Sequence, residues 1–169
     1  MTEGVLFETQ RLIVRKLILT DLKAFHELQR NPNVLRFVNS EVGDFNENKL
    51  ELDRLIQFYD KPGNEFQIYA VILKNTQNLI GTIALVKTDG EDEIGYRFIE
   101  RLWGNGFGKE IVPALIEHCR KLGISEIVAY VAYKNRASLK IIEQNDFVYE
   151  KDSFAEDIDQ LERKYKLKL

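Results

Sequence analysis

Glycine occupies every second position within residues 103–109 (Trp-Gly-Asn-Gly-Phe-Gly-Lys), a segment that we call the glycine turn. Gly104, Gly106 and Gly108 let the backbone turn sharply and direct several N–H groups at one ligand. The helix expected to follow adds unpaired N–H groups and the positive end of its dipole, and Lys109 adds a charge. The spacing therefore predicts a phosphate site, with a flexible strand-to-helix loop as the alternative.

Two other phosphate-binding motifs do not fit the glycine turn. A P-loop that ends at Gly108 and Lys109 requires a glycine in place of Trp103 and a serine or threonine in place of Glu110. A dinucleotide-binding fingerprint that starts at Gly104 requires glycine or alanine in place of Lys109. Both motifs therefore fail at defined positions.

A second polar pair, Asn135 and Ser138, lies downstream of the glycine turn. The spacing of three residues puts both side chains on the same side of the first turn of a helix that we predict for residues 135–145. Two short polar groups can then face one ligand beside the preceding strand. The alternative is an ordinary helix cap, for which asparagine is well suited.

The elements that must position these residues follow from the periodicity of the apolar side chains. A strand near the N-terminus leads to a helix that Thr20 or Asp21 caps and that ends near Asn31 and Pro32. A second helix begins at about Asn46, with a buried side formed by Leu50, Leu52, Leu55, Ile56 and Tyr59. Further strands are predicted at residues 65–74, 79–87, 93–99, 124–132, 147–151 and 161–169, with a helix after the glycine turn. This order predicts one mixed α/β domain over residues 1–169.

Composition narrows the class of protein. Apolar residues make up 44% and charged residues 30% of the 169 residues, which predicts a folded chain with one sizeable core. A net charge of -3 argues against a nucleic-acid partner, and no apolar run approaches the roughly 20 residues that span a membrane. The N-terminus has no signal-peptide pattern, and the lone Cys119 cannot form an internal disulfide, so we expect a cytoplasmic protein. His26 and His118 lack metal-ligand spacing, so we expect no metal.

The ordered motifs resemble the GNAT superfamily of acetyl-coenzyme A-dependent N-acetyltransferases. Residues 93–96, the glycine turn with Glu110, residues 135–138 and Glu143 carry this resemblance. Residues 8–15, Asp21 and residues 31–34 resemble the branch that includes the RimJ and RimL ribosomal-protein acetyltransferases. The resemblance spans nearly the whole chain. It implies the GNAT fold, a mostly antiparallel sheet of about seven strands with about four helices and two splayed central strands.

The resemblance also implies where acetyl-CoA binds. Backbone amides of the glycine turn would hold the pyrophosphate, and the pantetheine arm would lie where the strands at 93–99 and 124–132 separate. A backbone N–H of the first strand would polarise the thioester carbonyl. Trp103 would form a wall of the cofactor cleft, with a core position as the alternative. The implied cofactor-binding residues are Ile94, Tyr96, Phe98, Trp103, Gly104, Asn105, Gly106, Phe107, Gly108, Lys109, Asn135 and Ser138.

The attacking amine must be neutral although its pKa is about 8 to 10, so a general base is useful. The resemblance points to Glu93 as this base, at the head of a strand whose alternation groups it with Gly95 and Arg97. The alternative is that Glu91, Asp92 and Glu93 form a solvated acidic turn.

Three positions depart from the family pattern. Ile142 stands where many members have a tyrosine that protonates the departing thiolate, so Ser138 becomes the candidate donor. Asp146 replaces the usual glycine before Phe147, and aspartate tolerates the left-handed conformation. Pro113 lies inside the helix after the glycine turn and removes one helical hydrogen bond.

The sequence thus predicts an enzyme that acetylates a primary amine, either a protein N-terminus or a small molecule, by direct attack in a ternary complex. The alternative is a non-catalytic acyl-CoA sensor or interaction module with the same fold. Residues 33–60 and a loop at 151–159 are expected to form the acceptor side. The quaternary state stays open, with a homodimer as one option.

Overall fold

The computed structural model describes residues 4–38 and 41–169 of the chain. These residues form one sheet of eight strands: β1 (Val5–Glu8), β2 (Leu12–Lys16), β3 (Phe66–Leu73), β4 (Asn78–Thr88), β5 (Glu91–Phe98), β6 (Glu126–Ala132), β7 (Val148–Ala155) and β8 (Gln160–Lys168). Five α-helices accompany it: α1 (Leu22–Gln29), α2 (Pro32–Leu35), α3 (Phe45–Phe58), α4 (Phe107–Lys121) and α5 (Arg136–Glu143). The predicted mixed α/β architecture is confirmed, with one more strand and one more helix than expected.

The centre of the sheet contains a break in strand pairing. The strand order is β1-β2-β3-β4-β5-β6-β8-β7, and β4 pairs with β5 along its length, from Thr88 opposite Glu91 to Gly81 opposite Phe98. Strands β5 and β6 run parallel and are paired at one position, Glu93 with Val128. The two strands therefore separate beyond Glu93, which confirms the splayed central strands.

Alternate residues of the strands pack into two cores on opposite faces of the sheet. On one face Val71 packs in the same core as Ile111 and Leu115 of α4. On the other face Ala70 packs with Phe25 of α1. Helices α4 and α5 thus cover the first face, which we call the α4 face, and α1 and α3 cover the second, which we call the α3 face.

Helix α3 begins one residue before the predicted start because Asp44 caps it. Asp44 Oδ1 accepts from the Glu47 N–H at 2.9 Å, and Glu47 Oε2 accepts from the Asp44 N–H at 2.7 Å, which satisfies two N–H groups at the helix start. Leu52 and Leu55 are buried as predicted, whereas Leu50 is 70% exposed. The prediction for Leu50 was wrong because two residues of helix place it on nearly the opposite side from Leu52.

Two short elements near the N-terminus were not predicted. The four residues of β1 pair with β2, but they are too few to show an alternation of apolar side chains. Asn31 adopts an extended conformation, as the residue before a proline should, and so separates α1 from α2. Pro32 then occupies the first turn of α2, where its missing N–H has no partner to lose.

The C-terminal hairpin corrects another expectation. Residues 151–159 were expected to be a loop, yet β7 continues to Ala155 and pairs with β8 as far as Gln160. The run of charged residues from Glu150 to Asp152 hid the strand, since charged side chains are common on the edge strand of a sheet. The acceptor side would therefore include a β-hairpin.

Candidate active site

The glycine turn follows the end of β5, and its last three residues, 107–109, form the first turn of α4. Gly104 and Gly106 have φ angles of 79° and 78°, in the left-handed region that costs other residues about 1–2 kcal/mol. Gly106 occupies the N-cap position, so the N–H groups of the first turn of α4 follow it directly. The backbone therefore has a left-handed turn at a helix N-terminus, an arrangement that can bind an anion.

Gly108 brings three parts of the site into contact. A Cβ atom on this residue would lie 2.9 Å from Ile141 Cδ1 and 3.2 Å from Tyr96 Cε2. Glycine thus allows α4 to approach both α5 and β5 more closely than any other residue would. The glycine turn, the predicted cofactor strand and the helix of the Asn135–Ser138 pair consequently meet here.

Tyr96 and Ser138, predicted from separate motifs, form a hydrogen bond with an Oη–Oγ distance of 3.1 Å. Burial raises the pKa of Tyr96, and the bond to Ser138 opposes this shift. The phenol is therefore neutral at physiological pH and can donate a proton. Asn135 Oδ1 accepts from the Ser138 N–H at 3.2 Å and caps α5, so a ligand bond from Asn135 would have to come from its NH2 group.

Several predicted cofactor residues contribute backbone rather than side chain to this region. The side chains of Ile94, Phe98 and Phe107 are buried in the core of the α4 face. Trp103 is half-exposed, and its Nε1 donates to the Phe98 carbonyl at 2.8 Å, which ties the glycine turn to the end of β5. Asn105 Nδ2 donates to the carbonyl of Leu102, the residue before the glycine turn, at 2.8 Å.

Glu93 lies at the point where β5 and β6 separate. Burial raises the pKa of its carboxyl group, the hydrogen bond from the Thr88 hydroxyl lowers it, and the charge of Glu162 raises it further. A carboxylate with a raised pKa is a better proton acceptor. Strand alternation directs Glu93 to the α3 face and Tyr96 to the α4 face, so the candidate base and the Tyr96–Ser138 pair lie on opposite sides of the splayed strands.

The three neighbouring carboxylates of residues 91–93 have different partners. Glu91 forms ion pairs with Lys164 and with Lys166, the latter at 2.9 Å, and Asp92 lies 3.3 Å from Lys87. Glu93 has a hydroxyl partner instead of a cation. The solvated acidic turn therefore does not describe all three carboxylates, and Glu93 differs from its two neighbours.

The three departures from the family pattern have distinct outcomes. Ile142 is buried in the core of the α4 face and has no proton to donate. Asp146 has a φ angle of 63°, so the expected left-handed turn is retained. Helix α4 continues through the exposed Pro113 to Lys121.

The two histidines and the cysteine make packing contacts. His26 Nδ1 lies 2.8 Å from Asn48 Nδ2, and the His118 ring packs 5.1 Å from the Phe7 ring. Cys119 is fully buried, and burial raises the pKa of its thiol to about 11. Across residues 4–38 and 41–169, no group of three or more His, Cys, Asp or Glu side chains is arranged to hold a metal ion.

Sequence reasoning missed the contacts that Thr9, Arg11 and Glu110 make beside the glycine turn. Glu110 Oε1 accepts from Thr9 Oγ1 at 2.6 Å, and Arg11 Nε donates to Glu110 Oε2 at 2.6 Å. Arg11 Nη1 also donates to the Asn105 carbonyl at 3.0 Å. Arg11 and Glu110 are 99 positions apart, and no local pattern could have paired them.

Comparisons with known proteins show the family of this chain. The family described as acetyltransferase (GNAT) domain matches residues 11–148. The uncharacterized N-acetyltransferase p20 of Bacillus licheniformis is 30% identical over 155 residues, which are 88% of this chain and 84% of that protein. No helix in the described ranges has the length and apolar character needed to cross a membrane.

Solved structures share the fold at lower identity. RimL, an alpha-N-protein acetyltransferase of a ribosomal protein, in complex with coenzyme A, superposes with a TM-score of 0.82 at 18% identity, covering 98% of both chains. The spermidine N-acetyltransferase of Vibrio cholerae, in complex with coenzyme A and spermine, has a TM-score of 0.76 at 22% identity and covers 94% of this chain and 95% of its own. With the family match over most of its length, this chain belongs to the GNAT family of acetyltransferases.

Proposed function

We propose that this protein transfers an acetyl group from acetyl-CoA to a primary amine by direct attack in a ternary complex. The observation that carries this proposal is the position of the glycine turn. It lies at the N-terminus of α4, and residues 99–102 connect it to the end of β5, the strand that separates from β6. The anion site thus adjoins the cleft, as a long ligand with a pyrophosphate at the end of its pantetheine arm requires.

The donor would be held mostly by backbone. The N–H groups of residues 105–109 would bind the pyrophosphate, and the exposed Lys109 would add a positive charge. The amide-rich pantetheine arm would lie between β5 and β6, where backbone groups lack strand partners beyond Glu93 in the register. The NH2 group of Asn135 would reach the arm from the start of α5.

The acceptor would enter from the α3 face. Glu93 accepts a proton from the acceptor ammonium, which leaves a neutral amine at the opening between β5 and β6. The raised pKa of Glu93 favours this transfer. A backbone N–H of β5 stabilises the negative charge that develops on the carbonyl oxygen.

Departure of the coenzyme takes place on the α4 face. Ser138 donates its hydroxyl proton to the sulfur as the C–S bond breaks and takes the Tyr96 hydroxyl proton across their hydrogen bond. The proton that the attacking nitrogen loses to solvent as the amide forms balances the proton that solvent returns to Tyr96. Glu93 and Ser138 thus act on opposite sides of the reacting carbon, because Glu93 projects to the α3 face whereas Ser138 lies on α5, which covers the α4 face.

Primary amines of two classes fit these features. The RimL likeness suggests a protein N-terminus and the spermidine N-acetyltransferase likeness suggests a polyamine. The negative charges of Glu93 and Glu162 favour an acceptor that carries positive charge in either class. An acetyl-CoA turnover screen with N-terminal peptides, polyamines and aminoglycosides would identify the acceptor.

Binding of coenzyme A to Gly106→Trp tests the assigned site. A side chain at this left-handed position would block approach to the backbone, so calorimetry should show binding by the wild type and none by the variant. Gly123→Trp is the matched control, because Gly123 has a φ angle of 77° at the other end of α4 and open space around its Cβ position. Equal affinity in both variants would refute the site, and tight binding without turnover across the screen would favour the sensor.

A further inference from the structure

The loop between β1 and β2 is fastened to the first turn of α4. Thr9, Arg11 and Glu110 form this connection, which we call the N-terminal clamp. Glu110 Oε1 accepts from Thr9 Oγ1 at 2.6 Å and from the Arg11 N–H at 2.8 Å, while Oε2 accepts from Arg11 Nε at 2.6 Å. Charge-assisted bonds of this length are among the stronger hydrogen bonds in proteins. The clamp therefore fixes the guanidinium of Arg11 relative to the helix.

The fixed guanidinium contacts both residues that flank Gly106. Its Nη1 donates to the Asn105 carbonyl at 3.0 Å, and its Cζ lies 4.6 Å from the centroid of the Phe107 ring. A Cβ atom at Gly106 would lie 3.7 Å from Arg11 Nη2. Arg11 thus supports the glycine turn from the side of the N-terminal strands.

Arg11 also acts on the charge of Glu110. Burial acts to raise the pKa of Glu110, but the hydrogen bonds from Thr9 and Arg11 outweigh it and hold the pKa below its usual value. Glu110 is thus an anion in the first turn of α4, where the pyrophosphate is expected to bind. A carboxylate in the same helical turn would repel a bound pyrophosphate unless a cation neutralised the carboxylate. Arg11 is the ion-pair partner of Glu110, at 2.6 Å.

We propose that Arg11 is a positioning residue for the acetyl donor, which holds the glycine turn in its binding shape and cancels the charge of Glu110. This inference rests on the proposed function, since it assumes that the glycine turn binds the pyrophosphate. Thr9 and Glu110 orient Arg11. Its effect is specific for donors that carry a pyrophosphate, because the clamp contacts the glycine turn and no residue of the Tyr96–Ser138 pair.

Steady-state kinetics of the full-length Arg11→Gln variant with two donors test the inference. We expect the KM for acetyl-CoA to rise about ten-fold or more, as for loss of a hydrogen bond to a charged group, with little change in kcat or in the KM for the amine. With acetylpantetheine, which has no pyrophosphate, kcat/KM should stay at the wild-type value. Equal losses with both donors would overturn the proposal, because they would mean general damage to the fold.

Charge-matched variants separate support of the turn from neutralisation of Glu110. Arg11→Gln/Glu110→Gln should bind coenzyme A more tightly than Arg11→Gln, because the unpaired carboxylate is gone, and Arg11→Lys should recover part of the affinity. Arg120→Gln is the matched control: Arg120 pairs with Glu117 near the C-terminal end of α4, and its side chain is 47% exposed against 41% for Arg11. It should behave as the wild type.

Calorimetry with coenzyme A distinguishes failure of this inference from failure of the proposed function. If the wild type does not bind coenzyme A, the proposed function fails and the role of Arg11 fails with it. If the wild type binds and Arg11→Gln binds equally well, only the role of Arg11 is refuted. A thermal melt of each variant should give a midpoint above the temperature of the binding and kinetic measurements, which shows that folded proteins are being compared.

Discussion

Tyr96 Oη lies 3.1 Å from Ser138 Oγ, and this hydrogen bond joins β5 to the first turn of α5. Each residue belongs to a different sequence motif, and neither motif specifies the contact. The bond places a neutral phenol behind the hydroxyl that we propose as the proton donor. We propose that this pair takes the role of the tyrosine that the family often has at the position of Ile142.

The first prediction is that Tyr96 and Ser138 act as one unit. Ser138→Ala should lower kcat about 100-fold, as expected when a general acid is removed. Tyr96→Phe should lower kcat about five- to ten-fold, because it removes one hydrogen bond of about 1 kcal/mol. Single-turnover and steady-state rates with a fixed amine would measure both effects.

The double variant provides the control for this prediction. If Tyr96 acts through Ser138, adding Tyr96→Phe to Ser138→Ala should cause little further loss. Losses that multiply would show that the two residues act independently, and the Tyr96–Ser138 bond would then be a packing contact.

The second prediction concerns the close approach at Gly108. Gly108→Ala should lower the free energy of unfolding by about 1–3 kcal/mol, because the new Cβ would displace Tyr96 and Ile141. Urea denaturation measures this change. Gly95→Ala is the matched control, since a Cβ there would meet Ala84 Cβ at 3.7 Å, an ordinary contact, and should leave the midpoint nearly unchanged. Similar midpoints for both variants would show that the site tolerates a wider separation of α4, α5 and β5.

The glycine turn shows what sequence could predict. A left-handed glycine at a helix start is a local feature, and the backbone geometry of Gly104 and Gly106 is as their spacing implied. The cap formed by Asn135 is likewise local. Such features depend on residues within one turn of each other, so they can be read along the chain.

The clamp and the surroundings of Glu93 show what sequence could not predict. Arg11 and Glu110 meet because β1 and β2 pack beside α4, which is a property of the whole fold. Glu162 influences Glu93 although it lies on β8, and β5 contacts β6 rather than β8 in the sheet. The pKa of a buried carboxyl depends on such distant neighbours, so its value could not follow from the acidic run alone.

The third prediction concerns Glu93 as the base. Glu93→Gln should lower kcat/KM about 100-fold and move the acidic fall in rate to the pKa of the amine, about 8 to 10, because the variant has no carboxylate to take the proton from the ammonium form. Asp92→Asn is the control. It removes a charge next to Glu93 in sequence, but the Asp92 carboxylate pairs with Lys87. A pH–rate profile that is the same in Glu93→Gln as in the wild type would rule out Glu93 as the base.

The same variant should alter stability in a pH-dependent way. Because burial raises the pKa of Glu93, the ionised form is disfavoured in the folded protein relative to the unfolded chain. The stability that the protonated carboxyl contributes is therefore present at low pH and is lost as pH rises through the folded pKa. Glu93→Gln should unfold at higher urea than the wild type at pH 7 and at the same urea below about pH 4.

The fourth prediction uses the two neighbours that shift the pKa of Glu93 in opposite directions. Thr88→Val removes the hydroxyl that donates to the carboxylate and should move the acidic limb of kcat/KM to higher pH. Glu162→Gln removes a negative charge and should move the limb to lower pH. Rates measured from about pH 5 to about pH 9 with one amine would locate both limbs.

Each of these two variants keeps the local packing. Valine has nearly the shape of threonine, and the amide oxygen that Glu162→Gln introduces can still accept from Ser153 Oγ, which donates to the Glu162 carboxylate at 3.0 Å. Glu162→Gln should also raise the KM of a polyamine more than that of a peptide with one positive charge, because a smaller negative potential attracts a multivalent cation less. Two limbs that move in the same direction would mean that a group other than Glu93 controls the acidic fall in rate.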